Sequence, residues 1–192
     1  EQDTVIHLQR ELVSRPALGP ENGGQGEQAK AEFLASYLHQ IGLTTEVRNL
    51  AAPDPRGSSG ERPNLMALLP GHDASHTLWI VSHMDVVPPG DAQLWNTDPY
   101  VLHLDGDTMY GRGVEDNHHG LVASLLAAKA LVSTGRAPAR NLGLLLVADE
   151  ETGNAYGLEH IFTQHSHLFQ PGDQFLVPDF GLPDASMIEV AE

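Results

Sequence analysis

Several short apolar runs in this chain end in a side chain that can bind a metal ion or carry a proton. No other feature constrains the fold as much. Thr77-Leu78-Trp79-Ile80-Val81 leads into Ser82-His83-Met84-Asp85. Leu145-Leu146-Val147-Ala148 leads into Asp149-Glu150-Glu151-Thr152-Gly153, and Phe175-Leu176-Val177 into Pro178-Asp179. Short, uninterrupted apolar runs suit strands buried on both faces, as in a parallel sheet covered by helices. In open α/β sheets, ligands gather at the carboxyl ends of the strands. His83, Glu150, Glu151 and Asp179 all fall at such ends, and Asp116 opens a long apolar helical segment.

The rest of the chain supplies the helices. Residues 4–14 place Val5, Leu8 and Leu12 on one face, and residues 27–41 carry Ala31, Phe33, Leu34, Tyr37, Leu38 and Ile41 before Gly42. Residues 116–134 are apolar nearly all round, which predicts a buried helix, and residues 155–164 predict a shorter one. Strands are expected over residues 44–50, 64–69, 77–81, 141–148, 174–177 and 186–190. A polar loop is expected over 52–62, a long loop over 87–99, and a hairpin over 101–110 turning at Asp105-Gly106-Asp107. Strands alternating with helices give an α/β domain, with a largely parallel, mixed sheet flanked by helices. No internal repeat or low-complexity tract interrupts it.

Composition narrows the chemistry. At 192 residues and 41% hydrophobic, the chain can build one core of ordinary size. A formal net charge of −16 argues against nucleic acid, whose phosphates would repel such a surface. With no cysteine, disulfides and thiolate ligands are excluded, so any metal site must use His, Asp and Glu. No run approaches the ~20 apolar residues needed to span a membrane. The N-terminus, Glu1-Gln2-Asp3-Thr4, lacks the basic and apolar regions of a signal peptide. These features predict a cytoplasmic protein that does not associate with membranes.

Residues i and i+2 of an extended chain share a side, so His83 and Asp85 can face one cavity, the carboxylate orienting the imidazole. Adjacent residues of an extended backbone face opposite sides, so Glu150 and Glu151 need not compete for one ion. The bland alternatives are a buried His–Asp pair, a helix-capping Asp116, a solvated strand end at Glu150-Glu151 and an ordinary turn at Pro178-Asp179. Charge weighs against them in combination. Asp85, Asp116, Glu150, Glu151 and Asp179 together carry −5 when ionised. Each carboxylate pair at ~4 Å costs ~4 kcal/mol at an effective dielectric of ~20. Cations or protons are needed to hold such a group together.

The motifs together resemble the M20 family of metallopeptidases and deacylases. The matching residues are Ser82-His83-Met84-Asp85-Val86-Val87-Pro88, then Trp95 and Asp98-Pro99-Tyr100, Tyr110-Gly111-Arg112-Gly113 with Asp116, and Asp149-Glu150-Glu151 with Gly153. They run in order from about Asn64 to Asp179. The resemblance implies two divalent ions that share a water and lower its pKa. Asp116 would bridge the ions, His83 and Asp179 would complete one, and Glu151 would serve the other together with a histidine from outside these residues. Glu150 is implied as the general base, and Asp85 as the partner fixing the tautomer of His83. Zinc is the implied ion, two per full-length subunit, although cobalt or manganese would suit the same donors.

The implied reaction is hydrolysis of an amide bond in a small peptide or an N-acyl amino acid. By the same resemblance, residues 1–192 read as the N-terminal part of a zinc-peptidase-like catalytic domain that is incomplete at its C-terminus. The remaining catalytic part and a lid domain, through which a homodimer would form, are expected beyond it, and the chain alone is expected to be inactive. One departure stands out: His118-His119 follow Asp116 where much of the family has Met-Lys-Gly. Two rival readings remain. One is a non-catalytic homologue that binds metal or ligand, against which Glu150 and Glu151 argue. The other is a related di-zinc aminopeptidase, against which the His-x-Asp-x-x-Pro and Gly-Arg-Gly contexts argue.

Overall fold

A computed structural model describes residues 1–43 and 47–179 of the protein. The helices are α1 (Gln2–Val13), α2 (Gln28–Gln40), α3 (His118–Ser133) and α4 (Leu158–Gln164). The strands are β1 (Arg48–Asn49), β2 (Ala52–Pro53), β3 (Glu61–Arg62), β4 (Leu65–Leu69), β5 (Asp73–His83), β6 (His103–Asp105), β7 (Thr108–Tyr110), β8 (Arg140–Val147) and β9 (Gln174–Leu176).

Five strands form the main sheet in the order β1-β4-β8-β5-β9. β8 pairs with β5, and β5 with β9, in parallel; β1–β4 and β4–β8 are antiparallel. The sheet is therefore mixed, and its parallel half carries the acidic strand ends. β8 shows why its sequence is apolar throughout. Leu142, Leu144 and Leu146 join one core with Leu8, Leu12, Leu34, Leu38, Leu121 and Leu125 from α1, α2 and α3. Leu145 and Val147 join a second core with Trp79, Val81 and Ile161 on the α4 side. Helices thus cover both faces. At the centre, Gly143 lies under Trp79, whose ring would meet a Cβ there at 2.0 Å.

The strand expected over 77–81 is longer and begins at Asp73, with a register irregularity between Asp73 and Thr77. There the Asp173 carboxylate accepts the Thr77 amide and the Trp79 indole N–H, tying the start of β5 to the turn before β9. The segment read as a polar loop over 52–62 contains the two-residue pairing of β2 with β3. The hairpin turning at residues 105–107 is present as β6–β7. The expected helices over 116–134 and 155–164 begin later, at His118 and Leu158. The strand expected over 186–190 lies outside the described residues, as do residues 44–46 of the one expected over 44–50.

Candidate active site

β5 ends at His83, which pairs in register with Val147, the last residue of β8. Side by side, the two strand ends make a floor, and His83 stands on it only 2% exposed. Its Nδ1 lies 3.0 Å from the backbone carbonyl of Asp85. A carbonyl only accepts, so Nδ1 carries the proton and Nε2 of the neutral ring presents a lone pair. That lone pair faces carboxylates: Asp116 Oδ1 at 2.9 Å, Asp179 Oδ1 at 3.6 Å and Glu150 Oε2 at 4.0 Å. Acceptors do not converge on an acceptor without a proton or a cation between them. Burial works against protonation of His83, but the charges of Asp85, Asp179 and Glu150 outweigh it and raise its pKa.

The Asp85 carboxylate does not itself hydrogen-bond the His83 ring. It stands 3.7 Å from Nδ1 of His83, while the ring bonds the backbone carbonyl of Asp85 instead. The carboxylate accepts the backbone N–H groups of Glu150 at 3.1 Å and Glu151 at 3.0 Å. Burial is the chief cause that raises its pKa, and the His83 charge and these two donors oppose it. Asp85 thus joins the end of β5 to the acidic turn after β8.

That turn is not extended. The chain leaves β8 at Val147, Asp149 adopts a left-handed φ of 62°, and Glu150–Thr152 form a single 3₁₀ turn. The strand alternation expected to separate Glu150 from Glu151 does not continue that far, and the turn separates them instead. Asp149 stabilises the turn by accepting the Tyr156 amide at 3.0 Å and the Thr152 hydroxyl. Asn64 accepts the Ala148 amide at 2.9 Å, anchoring the strand end just before the turn. Glu150 reaches toward His83. Burial and then the charge of Asp116 raise the Glu151 carboxyl to about 7.

Asp116 arrives on the segment between the β6–β7 hairpin and α3. Gly113 sits at φ +86°, where a Cβ would lie 2.7 Å from both the His118 ring and Val86. Asn117 is the N-cap of α3 and makes no side-chain cap bond. Asp116 caps nothing and turns to His83. Asp179 comes in because the chain at Pro178 passes very close to α3: a Cβ on Gly120 would lie 1.9 Å from the Pro178 carbonyl.

Among the described residues, His83, Asp116 and Asp179 form a group whose ligand atoms all lie within 4.8 Å of one another. An imidazole lone pair facing carboxylates is a donor set that fits a divalent cation. Burial first, and then the charge of Asp116, raise the pKa of Glu151, and a second cation there would offset both. A cavity of about 70 Å³ adjoins the group, lined by His83, Asn117, Glu150 and Asp179. A larger concavity, about 430 Å³, lies elsewhere between α1, α3 and the β6–β7 hairpin. It is mostly apolar and shares no residue with the acidic group. Chemistry rather than size therefore locates the site.

Within the loop at 87–99, Trp95 Nε1 donates to the Pro89 carbonyl, and the Arg112 guanidinium lies 5.5 Å from the Trp95 ring centre. A buried charged layer behind the site was missed. Arg62 and Glu27 are both fully buried and paired, with Asp54 and Asp149 each 3.7 Å from the guanidinium. Lys30 is 1% exposed, and its Nζ lies 2.8 Å from both the Met84 carbonyl and His118 Nε2. A signal for Lys30 was present: positions 30, 34, 37, 38 and 41 share one helical face, and the lysine continues its apolar stripe.

Comparison with known proteins agrees with this geometry. Residues 79–186 match the family described as Peptidase family M20/M25/M40. An uncharacterized metallohydrolase of Methanococcus maripaludis is 38% identical over 194 residues, covering 99% of this chain and 46% of that protein. A succinyl-diaminopimelate desuccinylase of Methylocella silvestris is 33% identical over 148 residues, covering 77% of this chain and 35% of that protein. The chain thus spans half or less of the length of these curated relatives. Among solved structures, an M20 family metallo-carboxypeptidase from Sulfolobus solfataricus superposes with a TM-score of 0.74 at 25% identity. That match covers 94% of this chain and 38% of the other. Human carnosine dipeptidase 1 gives the same TM-score at 22% identity, covering 94% and 39%. The family match contains His83, Asp116, Glu150, Glu151 and Asp179 within one stretch, and the chain belongs to the M20/M25/M40 family of metal-dependent peptidases and hydrolases.

Proposed function

We propose that this chain carries most of the catalytic centre of a di-zinc hydrolase that cleaves an amide bond in a small peptide or an N-acyl amino acid. One observation carries the reading: the Nε2 lone pair of His83 faces carboxylates from three separate segments at the carboxyl end of the parallel strands. His83 and Asp179 would hold one ion, Glu151 the other, and Asp116 would be shared. Divalent ions at such a centre polarise the amide carbonyl and make water a better nucleophile.

The protein's own groups do the rest. Glu150 has a side chain 37% exposed and belongs to neither ion, so it is free to take the proton from water and return it to the departing nitrogen. The backbone of Glu150 is fixed by Asp85, which is itself buried. The base therefore keeps its position while its carboxylate reaches the open side. Asp85 also keeps His83 turned toward the ions, through its backbone carbonyl. The name of the desuccinylase relative supports removal of an acyl group from an amine. That of the carboxypeptidase neighbour supports peptide cleavage.

The test uses the intact protein with Zn²⁺ or Co²⁺ against dipeptides and N-acyl amino acids. Glu150→Gln should lower kcat by about 10²- to 10⁴-fold while metal content stays unchanged. Equal turnover by both proteins would refute the assignment of Glu150 as base.

A further inference from the structure

Lys30 is a lysine on the apolar face of α2, and it joins elements that are distant in sequence. One N–H of its ammonium donates to the carbonyl of Met84 at 2.8 Å, the residue between His83 and Asp85. Another meets Nε2 of His118 at 2.8 Å, at the first residue of α3 and two positions after Asp116. An ammonium has only donors, so His118 Nε2 accepts and the proton of that ring lies on Nδ1. His118 is itself held in place. Its amide donates to the Gly113 carbonyl at 2.9 Å, and its ring fills the space that a Cβ on Gly113 would occupy.

Burying a lysine is costly. Desolvation lowers its pKa to about 7, against the opposing pull of Asp85 and Glu27. A methionine would continue the apolar stripe of α2 without that cost. The arrangement is explained if the cation positions the site. The segments it joins are those that deliver His83 and Asp116, whose ligand atoms stand 2.9 Å apart. We propose that Lys30 and His118 form a buried brace that sets the spacing of His83 and Asp116, making both positioning residues for the metal centre. The proposal rests on the reading of that centre given above.

The intact protein, stripped of metal, is titrated with Zn²⁺ by calorimetry and with Co²⁺ by visible absorption. Lys30→Met and His118→Leu should each weaken Zn²⁺ binding about 10- to 100-fold, as loss of a ligand-orienting contact does. Both should also change the Co²⁺ spectrum. His118→Gln keeps an acceptor for the ammonium and should stay within a few-fold of wild type. The His118 pair keeps the test decisive if Lys30→Met does not fold. Leu38→Ala removes buried packing elsewhere on α2 and should lower thermal stability without changing affinity or spectrum. Wild-type affinity and an unchanged spectrum in His118→Leu would overturn the brace. So would weakening by Leu38→Ala equal to that of His118→Leu. Failure of the wild-type protein to bind either ion would instead overturn the metal centre, and the brace with it.

Discussion

Around Arg62, the buried carboxylates of Glu27, Asp54 and Asp149 are answered by guanidinium groups; around His83, the more exposed carboxylates of Asp116, Glu150 and Asp179 converge on one buried imidazole. Both groups lie at the same end of the domain, and Asp149 borders both. In the first, each carboxylate has a cationic partner within the protein, the two arginines also sharing Glu21. Arg62 takes Glu27 through Nε at 2.7 Å, while Arg56 takes both oxygens of Asp54 at 2.9 and 3.0 Å. The second has excess negative charge and a lone pair aimed into it. Buried carboxylates paired with arginine support a fold, whereas carboxylates gathered at a strand end without a cationic partner ask for a ligand.

The largest effect expected from this contrast falls on the arginine-paired group. Arg62→Met should destabilise the fold by about 3–5 kcal/mol, because Glu27 is left as an unpaired buried charge. Chemical denaturation measures it. A loss below about 1 kcal/mol would show that the two groups are not different in kind. Next in size is Asp116→Asn, which keeps a hydrogen-bonding oxygen beside His83 and removes one charge. Zn²⁺ affinity should fall at least tenfold, about 1.4 kcal/mol, while the metal-free protein becomes no less stable.

The contrast also bears on what the sequence reveals. Strand ends at His83 and Glu150 are legible because a strand buried on both faces reads as an uninterrupted apolar run, and its end is abrupt; the run before Asp179 reads the same way although β9 is exposed. The acidic turn was misread, since nothing local announces that Asp149 takes a left-handed conformation after Val147. That conformation is stabilised by Tyr156 and Thr152, partners a strand pattern does not encode. The Arg62 group was invisible for a related reason. Glu27, Asp54 and Asp149 come from segments far apart in sequence, and a charged residue in a polar stretch reads as solvated. The antiparallel pairing of β4 with β8 is likewise a matter of tertiary order, not of either strand's composition.

A smaller effect appears with pH. Glu151 is raised to about 7 from an ordinary 4.5, and His83 is raised as well. Each of these two groups holds a proton in the metal-free native state at pH values where the unfolded chain has released it, whereas Lys30 and His118, both lowered by burial, act in the opposite sense. The share that belongs to Glu151 is therefore read against Glu151→Gln: relative to that variant, the stability of the metal-free protein should decline as pH rises from about 5 to 7.5. Zn²⁺ should abolish this relative decline by displacing the proton. Thermal unfolding of both proteins in a chelator and in Zn²⁺ across that window checks it; a difference that grows in favour of the metal-free wild type as pH rises would contradict it. Smallest of all should be Arg15→Ala. Its pair with Glu11, four residues earlier, is partly open to solvent on both sides. A cost of about 1 kcal/mol or less is expected by denaturation, since such surface pairs contribute little.

The central claim is that side chains from four separated segments enclose a binuclear cation site. Anomalous diffraction at the zinc edge, on crystals of the intact protein grown with Zn²⁺, tests it most directly. The account predicts two neighbouring peaks, one ligated by His83 and Asp179, the other by Glu151, with Asp116 between them. No peak at these residues, or zinc bound only at other histidines, would contradict it.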